Sequence, residues 1–169
     1  MIFDRFQELK MFCDAQRAAG RTIVFTNGAF DLFHVGHLDS LERAAFYGDV
    51  LVVGVNSDAS VKALKGDSRP IIPCAERMAI LNALAVVGAV CPFDEETPKR
   101  IIEEAVLPDV VVKGGHYKIH EIVGHEFVLP RGGEIYSLPI MVEQSTSKIA
   151  KKIREMSEEE REIRPGIVH

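Results

Sequence analysis

The sequence predicts an α/β protein, a single domain built on a doubly wound parallel sheet. The strand-like runs, such as 50–56 and 109–113, are apolar along their whole length, as expected of strands covered on both faces. Segments with helical periodicity alternate with these runs, so right-handed crossovers should join parallel strands. A chain of 169 residues with 47% hydrophobic residues is also large enough for one well-buried core.

Turn and cap residues mark the elements in the first half of the chain. Gly20 ends a first amphipathic helix, Asn27-Gly28 ends the first strand, and Gly48-Asp49 follows the second helix. The predicted elements are a helix at 3–19, a strand at 22–26, a helix through 38–47, a strand at 50–56 and a short helix at 58–64 capped by Asp58.

The second half continues the alternation. Pro73 opens a helix through 84, and Thr97-Pro98 starts another that ends before Pro108. We expect the first of these helices to place four residues in the core: Met78, Ile80, Leu81 and Leu84. The remaining predicted elements are strands at 89–93, 109–113 and 134–138, a helix at 121–129 and a last helix capped by Ser145 through 156. Because ligands bind at the carboxyl ends of such strands, the loops after Thr26, Asn56 and Lys113 should line one site.

The chain divides into three parts. Residues 1–20 form an accessory N-terminal helix, 21–156 carry the domain, and 157–169 form a charged tail to which we assign no chemistry. No stretch approaches the roughly 20 apolar residues that span a bilayer. The first 20 residues also lack the apolar run of a secretory signal. We therefore expect a cytoplasmic protein without a membrane partner, and a homo-oligomer is left open.

Charge and cysteine content exclude several classes of function. A net charge of -5 argues against general nucleic-acid binding, which requires a basic face. The 3 cysteines show no Cys-x-x-Cys spacing, so they predict buried apolar residues, not disulfides or a thiolate zinc site. An anionic ligand would need a local basic pocket. Its candidate residues are Lys62, Lys65, Arg69, Arg77, Lys113, Lys118 and Lys148.

The strongest local signal is a His-x-Gly-His pattern that follows the first predicted strand and opens a helix. It ends the run Thr26-Asn-Gly-Ala-Phe-Asp-Leu-Phe-His-Val-Gly-His37. His34 and His37 share one helix face, next to the free N–H groups and positive dipole end of the helix N-terminus. Gly36 would let a nucleotide approach the backbone closely. The pattern therefore predicts an anion site.

Such a site suits in-line attack on phosphorus with pyrophosphate as the leaving group. Two imidazoles can donate hydrogen bonds to the phosphoryl oxygens, so catalysis would come from positioning and electrostatic stabilisation. An attacking phosphate is already ionised near neutral pH and needs no general base. The competing interpretation makes His34 a helix cap and His37 a surface residue. The position of the pattern after a buried strand, with Gly28 and Asp31 before it, favours the catalytic interpretation.

With further motifs, this run resembles the cytidylyltransferase-like nucleotidyltransferases, and within them the bacterial D-glycero-D-manno-heptose 1-phosphate adenylyltransferases. The resemblance extends from about residue 22 to residue 153 and implies a Rossmann-like nucleotidyltransferase fold. Besides the run above, it includes Val55-Asn-Ser-Asp58, Lys65-Gly-Asp-Ser-Arg-Pro70, Glu76-Arg-Met78, Val112-Lys-Gly-Gly115 and Ser145-Thr-Ser-Lys148.

The resemblance also implies a reaction. ATP and heptose 1-phosphate would give ADP-heptose and pyrophosphate, with Mg²⁺, for lipopolysaccharide core assembly. In this family the domain is often fused behind a sugar kinase. No kinase precedes it in this sequence, so we expect the stand-alone form with a small-molecule sugar phosphate as its partner.

Roles for individual residues follow from the same resemblance. His34, His37 and Lys65 would be catalytic. The nucleotide would contact Asn27, Gly28, Phe30, Asp31, Gly36, Arg77, Lys113, Gly114, Ser145 and Thr146, and the acceptor would contact Asp58, Arg69 and His116. No residue is assigned to a metal. For Ser145 the physical argument agrees, because a hydroxyl at a helix N-cap beside free N–H groups also forms an anion site, although a plain cap has the same sequence.

The sequence departs from the heptose enzymes at two places. His116 stands where those enzymes have an aspartate, and Glu143-Gln144 replaces a Gly-Cys pair before the Ser-Thr motif. An ionised aspartate only accepts hydrogen bonds, whereas a histidine can also donate. Because His116 follows the carboxyl end of a predicted strand, we expect it to contact the acceptor. We assign no metal site to His116, His120 and His125.

Other functions stay open at this point. The same fold could serve a CTP-dependent enzyme for glycerol phosphate or another alcohol phosphate, or an archaeal-type FAD synthetase, because loop contacts select the base. A nucleotide-binding module without turnover is a different class, against which the intact His34 and His37 argue. The aminoacyl-tRNA synthetases share a two-histidine motif, but this chain is short and acidic and lacks a Lys-Met-Ser-Lys-Ser loop.

Overall fold

Five parallel strands form one sheet in the order β3-β2-β1-β4-β5. The computed structural model describes residues 1–139, 141 and 145–156, so the predicted tail at 157–169 and the Glu143-Gln144 pair lie outside the described residues. The strands are β1 Ile23–Gly28, β2 Val50–Asn56, β3 Ala89–Phe93, β4 Val110–Gly114 and β5 Glu134–Leu138. The doubly wound parallel sheet is confirmed, and its strand order reverses between β1 and β4.

Helices cover both faces of this sheet and divide the core into two layers. They are α1 Phe6–Ala18, α2 Val35–Ala45, α3 Asp58–Lys65, α4 Cys74–Asn82, α5 His125–Val128 and α6 Thr146–Glu155, with a π-helix at Ile101–Val106. Phe25 of β1 packs in one layer with Leu9 of α1, whereas its neighbour Val24 packs in the other with Leu41 and Leu81. Successive side chains of a strand point to opposite faces, which explains this division.

Local chemistry corrects three of the predicted elements. Ser57, not Asp58, caps α3, and its hydroxyl accepts from the Ser60 N–H. The predicted helix at 121–129 is broken into short turns because Gly124 adopts a left-handed φ of 99°. Ile80 is 42% exposed and lies outside the core. After Pro98 the chain forms a π-helix, which is wider than the predicted α-helix, and the Leu107 N–H donates to the Ile102 carbonyl at 2.9 Å.

The first twenty residues belong to the same core as the sheet. Leu9 and Cys13 of α1 are both 0% exposed. Ahead of α1, Ile2 pairs in parallel with Val90, and the Phe3 N–H donates to the Val90 carbonyl at 2.9 Å, so the N-terminal segment lies along the outer edge of β3. This helix is therefore an integral part of the fold and not an accessory.

The cysteines behave as small apolar residues. Burial raises the pKa of Cys13 and of Cys91 to about 12, and both side chains lie in the core. Cys74 is half-buried at the start of α4, and burial raises its pKa as well. Thiols of this kind stay protonated and unreactive at neutral pH.

Of the helices that the structure describes, none is long and apolar enough to cross a membrane.

Candidate active site

A cavity of about 470 Å³ opens at the carboxyl ends of the strands. Asn27 and Gly28 reach it from β1, Asn56 from β2 and Lys113 from β4, as expected for loops that meet where the strand order reverses. The rest of the lining is Ala29, Val61, Leu64, Lys65, Glu96, Thr97, Pro98, Tyr117, Glu121, Ile122 and Val123. The volume falls within the range of about 300–1,000 Å³ that small-molecule sites occupy.

His34 and His37 stack on each other at the start of α2. Their ring centroids are 3.9 Å apart, and the rings are nearly parallel at 19°. His34 is the N-cap of the helix, and its Nδ1 accepts a hydrogen bond from the Gly36 N–H at 3.1 Å. An accepting Nδ1 carries no proton, so neutral His34 holds its proton on Nε2 and can donate from there. Phe30 packs edge-on against the ring of His37, with centroids 5.4 Å apart.

The surroundings of both imidazoles favour their neutral forms, because the pKa of each is lowered. The pKa of His37 is lowered to about 4, chiefly by burial and to a smaller extent by the neighbouring His34 and Lys65. Burial also lowers the pKa of His34. The Nδ1 of His37 is buried and has no hydrogen-bond partner among the residues that the structure describes, so a proton there would be costly. Nε2 is therefore the donor of His37 too.

At the N-terminus of α2, the hydrogen-bond donors that a ligand could use are mainly the imidazoles and not the backbone amides. The N–H groups of His37 and Leu38 both donate to the His34 carbonyl, and that of Gly36 is taken by the His34 ring. The free amides expected from the sequence are thus largely engaged within the helix. What remains for an anion is the positive end of the helix dipole together with the two ring N–H donors.

The loop between β1 and α2 is strained and is held by Asp31. Phe30 and Leu32 adopt left-handed φ values of 51° and 46°, which residues with side chains rarely do. Between them, the buried carboxylate of Asp31 accepts from the amides of Ile71 and Ile72 and from the Arg69 guanidinium at 2.8 Å. Burial alone would raise the pKa of Asp31, but these hydrogen bonds outweigh it and lower the pKa.

Asp31 and Arg69 are therefore paired with each other. The resemblance implies a nucleotide contact for Asp31 and an acceptor contact for Arg69, yet both charged groups are used inside the protein. Neither residue is part of the cavity lining. Their visible role is to attach the loop at 69–72 beneath the strained loop that precedes the histidines.

Arg77, also expected on phosphate, is a buried connection between three loops. Its side chain is 0% exposed and donates to the carbonyls of Ala29, Asn56 and Ile72. A further bond at 2.8 Å joins it to the Asp58 carboxylate, whose Oδ1 also accepts from the Cys74 N–H. Arg77 and Asp58 thus fix the relative positions of the loops after β1 and β2 and the start of α4.

Two lysines line the cavity, and one of them, Lys65, lies near His37. Lys113 lies at the end of β4, and its Nζ is 3.1 Å from Asn27 Oδ1 and 3.3 Å from the Asn27 carbonyl oxygen. Burial lowers its pKa, and the nearby Lys65 lowers it further. Lys65 ends α3, lines the cavity and also lowers the pKa of His37. Lys65 and Lys113 therefore form one electropositive region, and Lys65 connects it to His37.

The N-terminus of α6 docks on the loop before the histidines. Thr146 Oγ1 donates to the Asp31 carbonyl at 2.7 Å, and Ser145 Oγ accepts from the Lys148 N–H at 3.2 Å. On β4, Gly114 lies close to α2, since a Cβ there would be 3.3 Å from Ser40 Oγ. His116 is exposed and is not part of the cavity lining, whereas its neighbour Tyr117 is.

The residues on the far side of the cavity were not predicted as site residues from the sequence. Glu96, Thr97 and Pro98 follow β3, and Glu121 follows β4 in a short 3₁₀ turn. None of them belongs to a recognisable motif. The rule that ligands bind beyond the carboxyl ends of strands could have pointed to the loop after β3, but that rule does not choose individual side chains.

Comparison with known proteins gives the family. A family model described as cytidylyltransferase-like matches residues 25–155, most of the chain. The chain belongs to this family of nucleotidyltransferases. It is 54% identical over 138 residues to the bifunctional protein HldE of Halorhodospira halophila, and 48% identical over 149 residues to that of Escherichia coli O139:H28. These matches cover 82% and 88% of this chain but only 29% and 31% of the two relatives.

Two solved structures share the fold. A lipopolysaccharide core biosynthesis protein from Thermoplasma volcanium matches with a TM-score of 0.60 and 27% identity, over 74% of this chain and 100% of that one. The pantoate-beta-alanine ligase of Francisella tularensis matches with a TM-score of 0.58 over 92% of this chain and 78% of its own. At 15% identity the ligase supports the fold alone.

Proposed function

We propose that this chain transfers AMP from MgATP to a sugar 1-phosphate, D-glycero-D-manno-heptose 1-phosphate, giving ADP-heptose and pyrophosphate. The observation that carries the proposal is the stacked pair of histidines next to Lys65, which in turn neighbours Lys113. The family supports nucleotidyl transfer, and the motif resemblance to the heptose adenylyltransferases supports the choice of sugar. The relatives named HldE and the lipopolysaccharide core biosynthesis protein are consistent with both.

The reaction is one displacement at phosphorus. An oxygen of the acceptor phosphate forms a new bond to the α-phosphorus of ATP, while the bond from that phosphorus to the bridging oxygen of the β-phosphate breaks. The leaving pyrophosphate takes the electron pair. The attacking phosphate is already ionised, so no proton has to be removed. The donors in the described site are the Nε2–H groups of His34 and His37 and the ammonium groups of the lysines. They can donate hydrogen bonds to the transferred phosphoryl group and to the leaving pyrophosphate.

Mg²⁺ enters this proposal as part of the substrate MgATP. Among the residues that the structure describes, no group of three or more His, Cys, Asp or Glu side chains is arranged to hold a metal ion. The carboxylates nearest in sequence to the histidines, Asp31 and Asp39, are paired with Arg69 and Arg43. Mg²⁺ commonly keeps several waters and binds substrate phosphates, so it does not require a cage of protein ligands.

A pyrophosphate-release screen tests the proposal. Purified protein with Mg²⁺ is given ATP or CTP together with heptose 1-phosphate, a hexose 1-phosphate, glycerol 3-phosphate or FMN. We expect release with ATP and heptose 1-phosphate, and no release without an acceptor. Turnover of CTP with glycerol phosphate, or of ATP with FMN, would replace the proposal with one of the alternative transferases. ATP binding without turnover of any acceptor would favour a nucleotide-binding module.

A further inference from the structure

The cavity carries opposite charges on its lining. Lys65 and Lys113 contribute its positive groups, and Glu96 and Glu121 contribute carboxylates from the loops that follow β3 and β4. The two histidines are not part of this lining, although Lys65 connects the two regions by lining the cavity and lowering the pKa of His37. The cavity therefore adjoins the proposed triphosphate site and offers space for a second ligand.

The positive end of the cavity is not neutralised by the protein. The pKa of Lys113 is lowered by burial and by Lys65, and no carboxylate of the described residues acts on it in the opposite sense. Lys65 itself has no ion pair within residues 1–139, 141 and 145–156. Two neighbouring ammonium groups without an acidic partner favour binding of an anion such as a phosphate.

Hydrogen bonds attach the two segments that carry the glutamates. Asn56 Nδ2 donates to Ser60 Oγ at 2.9 Å, and Ser60 Oγ donates to the Glu95 carbonyl at 2.9 Å, which attaches the loop bearing Glu96 to α3. Glu121 Oε2 accepts from the Lys118 N–H at 2.8 Å. In the part of the chain that the structure describes, Glu96 makes no hydrogen bond or ion pair. Both residues line the cavity, and the Glu96 carboxylate has no partner among the described residues that would occupy it.

We propose that Glu96 and Glu121 bind sugar hydroxyl groups of the acceptor and select a polyhydroxylated sugar 1-phosphate over short alcohol phosphates. Carboxylates accept strong, charge-assisted hydrogen bonds from hydroxyls and repel phosphate. The acceptor phosphate is thereby directed to Lys65 and Lys113, next to the triphosphate, and the ring to the glutamates. This inference rests on the proposed function and adds the residues that determine its specificity.

Four alanine variants test it. Glu96→Ala and Glu121→Ala remove the two carboxylates, while Glu95→Ala and Glu126→Ala are matched controls from the same two segments. The Glu95 carboxylate binds Arg100 at 2.9 Å, and neither control residue lines the cavity. We expect each cavity variant to raise the KM for heptose 1-phosphate on the order of tenfold, since hydrogen bonds to charged groups are the stronger ones. The KM for ATP should stay within twofold of wild type, as should both KM values of the controls.

Glu121 also accepts a hydrogen bond from a backbone amide, so Glu121→Ala could disturb the local structure. Glu121→Gln keeps an acceptor at this position and is therefore measured as well. Melting curves are recorded for every variant. An unchanged acceptor KM in the Glu96 and Glu121 variants would overturn the inference. An equal rise in the KM for ATP would overturn it as well, since the carboxylates would then lie against the nucleotide. Failure of the proposed function is a separate result, in which wild type releases no pyrophosphate with heptose 1-phosphate.

Discussion

At the scale of single residues, His34 and His37 combine a structural and a chemical role. One nitrogen of the His34 ring caps α2, and the other is left for a ligand. His37 is enclosed by Phe30, Phe33 and His34, so its ring orientation is fixed by packing. Fixed donors need no reorganisation when negative charge develops on a phosphoryl oxygen, which is the condition for efficient electrostatic stabilisation.

Loss of either ring should therefore reduce kcat. We expect His34→Ala and His37→Ala each to lower kcat by about a hundredfold, the usual effect of removing one transition-state donor. His34→Asn separates the two roles of His34, because asparagine is a good N-cap but cannot place a donor where Nε2 stands. The assay is steady-state pyrophosphate release with the exposed His120→Ala as the control. Near-normal turnover in His34→Asn would mean that His34 is only a cap.

The pKa of His37 has a consequence for stability. Its value of about 4 in the folded protein lies below the ordinary value of 6.5, so between these pH values the unfolded chain binds more protons than the folded one. The contribution of His37 to stability is complete above pH 6.5 and is lost as the pH falls towards 4. Urea unfolding from pH 4 to 7 should show this slope, and His37→Phe should reduce it. Histidine NMR signals supply the direct check, and a midpoint near 6.5 would contradict the assignment.

The sequence was sufficient to identify the two histidines as candidate site residues, but not to identify the residues that hold their loop in place. His34 and His37 belong to one short pattern whose meaning depends on a strand before it and a helix after it. Asp31 and Arg69 are 38 residues apart, and Arg77 bonds a carbonyl 48 residues away, so only the folded chain brings these partners together. A charged side chain expected on phosphate cannot be distinguished by sequence from one used as an internal connection.

At the scale of elements, the connection made by Arg77 should matter for stability. Arg77→Met leaves buried carbonyls without donors, and we expect a loss of about 3 kcal/mol in the free energy of unfolding. Arg100→Met, at an exposed guanidinium paired with Glu95 and Glu104, is the control and should unfold close to wild type. Chemical denaturation measures both. A rise in the KM for ATP at unchanged stability would instead support the phosphate role that the resemblance implies.

The regular elements were predictable to the extent that their signals are local. Apolar runs identified the strands, and Ser145 was correctly predicted as the cap of the last helix. The prediction of one helix at 121–129 was wrong because it rested on the apolar pattern alone. Gly124 adopts a left-handed φ and interrupts the helix. The site contribution of the loop after β3 was not predictable, because no periodicity or motif distinguishes Glu96 from Glu95.

At the scale of the whole molecule, α1 is as much a part of the core as the sheet. Leu9→Ala should lower the free energy of unfolding by about 2–5 kcal/mol, as core truncations do, while leaving KM values unchanged. Met11 lies two residues away on the same helix and is 68% exposed. Met11→Ala is therefore the matched control and should have little effect. Thermal or urea unfolding decides this, and equal effects of the two substitutions would contradict the packing described for α1.

The fold class itself followed from the alternation of apolar strands and helices, and it needed no motif. Which strands are neighbours did not follow, because the order β3-β2-β1-β4-β5 depends on the direction of each crossover. The cavity depends on this order, since Lys113 reaches Asn27 only because β4 lies beside β1. The sequence alone thus predicted that the site lies at the carboxyl ends of the strands, but it did not predict which residues from different strands line the cavity together.

The segment along β3 bears on how copies of this protein behave towards each other in concentrated solution. The Val90 N–H donates to the Met1 carbonyl at 2.8 Å, the Phe3 N–H donates back to Val90, and Pro92 has no N–H to offer. The outer edge of β3 is thereby largely closed to a further strand. A chain trimmed by its first three residues would expose an apolar edge able to template pairing, and aggregation would begin there.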